Sequence, residues 1–373
     1  MIEVKALNLY GVQDIRFEET PEPVIEKEDD VIIKVKAVGI CGSDISRFKK
    51  LGPYVEGMTF GHEFAGEVAE IGSGVTGIKV GDRVAACPTY ACGKCESCRK
   101  GEPSQCEKLT VIGARHPGAY AEYVKLPSEH IIVLPDNVDY DTAALIEPSS
   151  VVAHGFYRTN IKPGAEVAIV GCGSIGLLAV QWAKIFGAKK VYAIDIDDNK
   201  LKTAKELGAD EVINSLEKPP HEQLLELNHG RGVDLAVESA GSPITSAQVF
   251  ALPKKGGEVV FMGIPYADIT IERFYFEKIV RNELSIYGSW NALSAPFPGK
   301  EWESTVHYMS TGQINVKPMI SHTLELSQGP ETFKQIINRE IDAVKVLFYP
   351  EIGKEPTTTT TGAMAKGSSV GLG

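Results

Sequence analysis

An antiparallel β domain joined to a doubly wound parallel α/β domain is the fold class predicted, and three observations predict it. Between Val31 and Leu134, glycine and proline cut the chain into short β-branched runs. From Glu166 onward, apolar runs alternate with helical stretches. Where the pattern changes stands Gly171-Cys172-Gly173-Ser174-Ile175-Gly176. Dense turn signals read as antiparallel sheet, and strand-helix alternation as parallel sheet covered on both faces.

In chain order, the β-rich part offers the runs Val31 to Val38, Gly61 to Ile71, Arg83 to Ala86, Ala119 to Lys125 and Ile131 to Leu134. Asp141 is expected to cap the turn that follows it. The stretch Thr142 to Tyr157, interrupted by Pro148, reads as the connecting helical region. Parallel strands are expected at Glu166 to Val170, Lys190 to Asp195, Glu211 to Ile213, Val233 to Val237, Gly257 to Met262 and Leu284 to Tyr287, with a first crossover helix at Ile175 to Phe186. Helical stretches at Glu301 to Thr311 and Gly329 to Asn338 precede a last strand, Ala343 to Tyr349, expected to rejoin the first domain. The resulting division is residues 1–150 completed by 290–350, then 151–289, then a tail at 351–373 whose threonine, glycine and serine cannot bury enough apolar surface to order.

Composition excludes several classes. The 373 residues suffice for two or three domains, and a net charge of −11 from 38 basic and 49 acidic side chains argues against nucleic acid as partner. No apolar run reaches the ~18 residues of a membrane helix, and Met1-Ile2-Glu3-Val4-Lys5 lacks the regions of a secretory leader. A cytoplasmic protein with no membrane partner is expected. Seven cysteines, four of them bunched, suggest metal before disulfides in a reducing compartment.

Those four are Cys92, Cys95, Cys98 and Cys106, with Gly93 and Gly101 available for tight turns. Four thiolates close a tetrahedral zinc shell and leave no position for substrate, so a structural site is expected; an iron–sulfur cluster or unpaired thiols are the alternatives. A second, dispersed set is Cys41, His62, Glu63 and Glu147. Singly each reads as an ordinary residue. Together they offer sulfur, nitrogen and carboxylate oxygen, a set suited to a catalytic zinc with an open position.

The glycine loop follows a strand and opens a helix. Gly171 permits the tight turn, Gly173 the approach of a pyrophosphate, and Gly176 close helix–strand packing, while the helix amino end favours negative charge. The next strand ends in Asp195, a carboxylate suited to ribose hydroxyls and hostile to a 2′-phosphate. The cofactor set is therefore Gly171, Gly173, Ser174, Ile175, Gly176, Asp195 and Lys200, and NAD is favoured over NADP.

These motifs, with Cys41-Gly42-Ser43-Asp44, Gly61-His62-Glu63, Val80-Gly81-Asp82-Arg83-Val84 and Leu207-Gly208-Ala209-Asp210, resemble the zinc-dependent medium-chain alcohol and polyol dehydrogenases from about Val31 to Pro350. The resemblance implies a GroES-like β-barrel catalytic domain built from both chain ends and a Rossmann coenzyme domain between them. It makes Cys41, His62 and Glu147 the catalytic zinc ligands, with Glu63 either a further ligand or a partner beside them. One catalytic and one structural zinc per chain, NAD, and assembly as homodimer or homotetramer follow from it, with Leu284 to Tyr287 a possible pairing edge or a strand of the sheet interior.

A carboxylate at position 147 is similar to the polyol branch. Gly288-Ser289-Trp290-Asn291 with Pro296-Phe297-Pro298-Gly299-Lys300-Glu301-Trp302-Glu303 resembles its polyol-phosphate members. The implied reaction is hydride transfer from a secondary hydroxyl of a polyol or polyol phosphate to NAD, with Ser43 as first proton-relay hydroxyl and Asp44 orienting a metal ligand. Ser46 stands where sorbitol dehydrogenases usually carry a relay histidine. Arg115, His116 and Lys300 are the cations considered for a phosphate group. Other readings are a dehydrogenase of an unphosphorylated polyol, sugar acid or threonine-like substrate, or a nucleotide-binding protein without turnover.

Overall fold

The computed structural model describes residues 2–350, so the tail at 351–373 lies outside the described residues. Six parallel strands lie side by side in the order Glu211–Asn214, Lys190–Asp195, Glu166–Val170, Val233–Glu238, Pro253–Phe261 and Ser285–Gly288. In chain order this is third, second, first, fourth, fifth, sixth, the Rossmann arrangement, whose crevice opens beside the first strand where the order reverses. Every residue of Glu166–Val170 is buried, as a central strand covered by helices on both faces requires. The crossover helix Ser174–Ile185 seats Leu177, Leu178 and Trp182 in that cover.

The β part has a three-stranded sheet (Asp14–Pro21, Glu3–Gly11, Met58–Thr59) and a seven-stranded one. The strand Asp30–Gly39 is the hub of the larger sheet. It pairs antiparallel with Glu63–Ile71 along its length, with Tyr123–Pro127 at its start and with Lys345–Tyr349 at its end. Both sheets contribute to one core that includes Leu7, Leu9, Val31, Ile33, Val35 and Phe348. Chain ends far apart in sequence therefore share one sheet.

Several local expectations are corrected. The hairpin Glu3–Gly11/Asp14–Pro21 precedes the region read as β from sequence; in its second strand only Ile15 and Phe17 carry large apolar side chains among charged and polar neighbours, too short a run for hydropathy to mark. Asp139, not Asp141, caps the turn: its carboxylate accepts the Thr142 N–H at 2.8 Å, whereas Asp141 accepts the Tyr349 hydroxyl at 2.8 Å. Pro148 does not interrupt the helix Ile146–Tyr157, because it sits in the first turn, where the N–H has no intrahelical partner to lose. No helix among the described residues is long and apolar enough to cross a membrane.

Candidate metal centre and coenzyme site

Cys41 stands at the amino end of the short helix Gly42–Ser46, which leaves the end of the hub strand. Asp44 folds back to accept the Cys41 N–H at 3.2 Å and the Tyr120 hydroxyl at 2.7 Å. Its other oxygen lies 3.7 Å from His62 Nδ1, beyond hydrogen-bond length but close enough for its charge to act on the imidazole. His62 reaches the same place from the opposite side through Gly61, whose φ of +92° and tight packing on Tyr120 exclude a side chain. The Cys41 sulfur, a His62 ring nitrogen and a Glu63 oxygen come within 4.8 Å of one another. Sulfur, nitrogen and oxygen at that separation fit a zinc ion that keeps an open position.

Glu147 is not one of that trio, although it faces it. It is the second residue of Ile146–Tyr157. Burial pushes its carboxyl up to about 7, nearby Glu63 and Asp44 add to the rise, and His62 and Lys345 act against it. Burial opposes charge on the His62 ring, but Asp44 and Cys41 outweigh it and hold the imidazole pKa well above its ordinary value. Lys345, which sequence reasoning missed, is buried against the cluster: its ammonium sits 2.5 Å from Glu63 Oε2 and donates to the Ile40 carbonyl at 3.0 Å.

Ser43 lies two residues past Cys41 on the helix and is exposed. The Ser46 hydroxyl is engaged one turn back, donating to the Gly42 carbonyl at 3.0 Å. Of the three cations considered, Arg115 approaches Tyr54 and His116 packs on Tyr90 with ring centroids 4.7 Å apart. Lys300 lies over the Tyr157 ring at 3.9 Å, ten residues beyond Glu147 and so about 15 Å along that helix.

The four-cysteine lobe is brought together as expected, with the thiols of Cys92, Cys95, Cys98 and Cys106 within 4.8 Å of one another. Backbone N–H groups point at the sulfurs: Cys95 donates to Cys92 at 3.3 Å, Cys92 to Cys106 at 3.2 Å and Lys108 to Cys106 at 3.3 Å. Such bonds stabilise thiolate, and those from Lys94 and Cys95 lower Cys92 to about 6. The donor set fits a closed, structural zinc.

In the glycine loop, a Cβ on Gly176 would strike the Gly171 carbonyl and one on Gly171 would meet Ala240 at 2.8 Å, whereas one on Gly173 would meet nothing within 4 Å. Gly171 and Gly176 permit close packing, and Gly173 leaves an open cradle at the helix amino end, as a pyrophosphate needs. Asp195 is fixed there by accepting the Cys172 N–H at 2.6 Å and the Ile196 N–H at 2.8 Å. Lys200 lies near enough to lower the Cys172 thiol, against the burial that dominates it. The Ser174 hydroxyl donates across to the Val344 carbonyl at 2.7 Å.

Residues 27–136 match the family model for the alcohol dehydrogenase GroES-like domain, and residues 174–307 that for zinc-binding dehydrogenase. Sorbitol dehydrogenase of Bacillus subtilis is 35% identical over 353 residues, covering 93% of this chain and 97% of that protein. Galactitol 1-phosphate 5-dehydrogenase of Escherichia coli K12 is also 35% identical, over 90% of this chain and 97% of that protein. The crystal structure of galactitol-1-phosphate dehydrogenase from Escherichia coli superposes with a TM-score of 0.88 at 34% identity, over 93% of this chain and all of that one. A zinc-binding dehydrogenase structure from Sinorhizobium meliloti bound to NADP gives 0.83 at 32% identity, over 94% of this chain and all of that one. The chain belongs to the zinc-dependent medium-chain alcohol and polyol dehydrogenases, and within them it is an oxidoreductase similar to polyol dehydrogenases.

Proposed function

We propose that this enzyme oxidises a secondary hydroxyl of a polyol phosphate, galactitol 1-phosphate or a close relative, to a ketose phosphate with NAD. The convergence of Cys41, His62 and Glu63 beside Glu147 carries the metal-assisted part of this reading. The likeness to the Escherichia coli galactitol 1-phosphate enzyme in sequence and fold supports the substrate class.

Cys41 and His62, with Glu147 or Glu63 completing the set, would hold the catalytic zinc, and the four-cysteine lobe the structural one. Zinc supplies a Lewis acid that lowers the pKa of a coordinated hydroxyl. NAD supplies the hydride acceptor. The residues do the rest. Asp44 places a carboxylate 3.7 Å from the His62 ring and attracts it, and Lys345 balances the charge of Glu63. Ser43 is exposed on the helix that begins at Cys41, a position suited to carrying the alcohol proton toward solvent. The open face at Gly173 offers backbone N–H groups to the pyrophosphate, and Asp195, which already accepts the Cys172, Ile196 and Asp197 N–H groups, keeps capacity on Oδ2 for a ribose hydroxyl.

Seven unpaired thiols favour the cytoplasm. A homodimer is supported by the edge position of Ser285–Gly288, where Ile286 is exposed, and by Phe274, Phe276 and Val280 exposed on the helix Arg273–Arg281 before it.

A second reading, an unphosphorylated polyol as substrate, rests on the equal identity to sorbitol dehydrogenase. NADH formation with galactitol 1-phosphate set against galactitol, sorbitol, xylitol and L-threonine decides between them. The proposal expects the phosphate ester to give the highest kcat/KM; faster turnover of any free polyol overturns it.

A further inference from the structure

Two arginines, one following the helix of Cys41 and one on the loop that packs against Gly61, converge on one tyrosine, Tyr54. Arg47 directly follows the helix of Cys41 and Ser43, and lies four residues past Ser43, so the two share a face. Its guanidinium lies over Tyr54, with Cζ 3.5 Å from the ring centroid, and donates to the Gly52 carbonyl at 3.2 Å. Arg115 comes from a different segment, the loop 113–118, which packs on Gly61 so closely that a Cβ on Gly118 would lie 2.5 Å from the Gly61 carbonyl oxygen. Its guanidinium stands 6.0 Å from the same Tyr54 centroid. One arginine is thus carried by the Ser43 segment and the other by the support of His62.

Neither forms an ion pair with a carboxylate among the described residues. Four other arginines are paired with carboxylates, Arg16 with Asp14, Arg231 with Glu166, and Arg273 and Arg281 with Glu277, while Arg83 donates to the Asp136 and Val138 carbonyls instead. Two guanidiniums brought to one ring without an acid repel each other unless an anion comes between them. A guanidinium stacked on an aromatic face keeps its edge N–H groups free, and that edge matches a phosphate bidentately. A neutral polyol would have no use for two cations.

We propose that Arg47 and Arg115, held by Tyr54, form the subsite for the terminal phosphate of the substrate. This rests on the phosphorylated polyol as substrate. Because Arg47 lies a helical turn beyond Ser43, the phosphate is recognised at the end of the chain away from the carbon that is oxidised. Lys300 is not part of this subsite.

The test is the ratio of kcat/KM for the phosphate ester to that for the free polyol, in wild type, Arg47→Gln, Arg115→Gln, Arg47→Lys and Lys300→Gln, with inorganic phosphate as inhibitor of the wild type. Each glutamine variant is expected to lower the ratio about 10- to 100-fold, mainly through KM for the ester, the span for losing one charge-assisted contact. Arg47→Lys should fall between, Lys300→Gln should keep the wild-type ratio, and inorganic phosphate should compete with the ester. Glutamine variants that keep the wild-type ratio, or that lose both substrates equally, overturn the subsite, as does a lack of competition by inorganic phosphate. A wild type that prefers free polyols overturns the substrate class itself, and the subsite with it.

Discussion

Lys345 and Glu63 form a buried ion pair, Nζ to Oε2 2.5 Å, that ties the last strand to the residue following His62. Both side chains are almost wholly out of water, so removing one partner leaves the other's charge uncompensated. Lys345→Met is expected to cost about 3–5 kcal/mol in urea unfolding. The double variant Lys345→Met/Glu63→Gln should recover part of that loss, because it removes both charges. A double variant destabilised by the full sum of the losses of Lys345→Met and Glu63→Gln would show that the pair contributes no coupling.

The four-cysteine lobe makes a separate prediction. Cys98→Ser opens a closed thiolate shell and should release one zinc per chain and lower Tm by several degrees, since metal binding there contributes to folding. NADH affinity, measured by fluorescence titration, should remain close to wild type, because the glycine loop belongs to a different sheet.

The ribose contact proposed for Asp195 makes a prediction about coenzyme choice. Its carboxylate ends the second strand of the parallel sheet and is fixed by the Cys172 N–H. The wild type should use NAD well ahead of NADP, and Asp195→Ser should lower kcat/KM for NAD about 10- to 100-fold while raising that for NADP. An unchanged preference in the variant would remove Asp195 from the ribose site.

Acid stability should depend on Glu301. Burial raises its carboxyl pKa, but hydrogen bonds from His154 at 2.6 Å and Ser294 at 2.6 Å outweigh it and hold the pKa below the ordinary glutamate value. The unfolded chain therefore takes up this proton first as pH falls. The contribution to stability is full above the unfolded pKa, about 4.3, and is lost as pH drops through the lower folded value. Glu301→Gln should flatten the fall of Tm below about pH 5; an equally steep fall would place the acid sensitivity elsewhere.

What could be read from sequence follows how local the constraint is. The four cysteines and the glycine loop are legible because metal geometry and a close backbone approach force residue types at fixed spacing within a short stretch. Lys345 is not, since its partner lies 282 residues upstream and only the pairing of Lys345–Tyr349 with the hub strand brings them together. Arg47 was likewise hidden: its neighbours give it no motif, and its meaning comes from Tyr54 and the loop of Arg115. Asp139 and Asp141 are equally good caps by residue type, and backbone geometry decides between them. The choice between Glu63 and Glu147 has the same character, because both are glutamates facing one centre from different elements.

The most direct measurement takes zinc content and turnover from the same samples of wild type and Cys41→Ser. The wild type should hold two zinc ions per chain and reduce NAD with the polyol phosphate. Cys41→Ser should hold one zinc, keep its NADH affinity and show no turnover. A Cys41→Ser enzyme that still holds two zinc ions, or a zinc-stripped wild type that still turns over, would contradict a catalytic metal at Cys41 and His62.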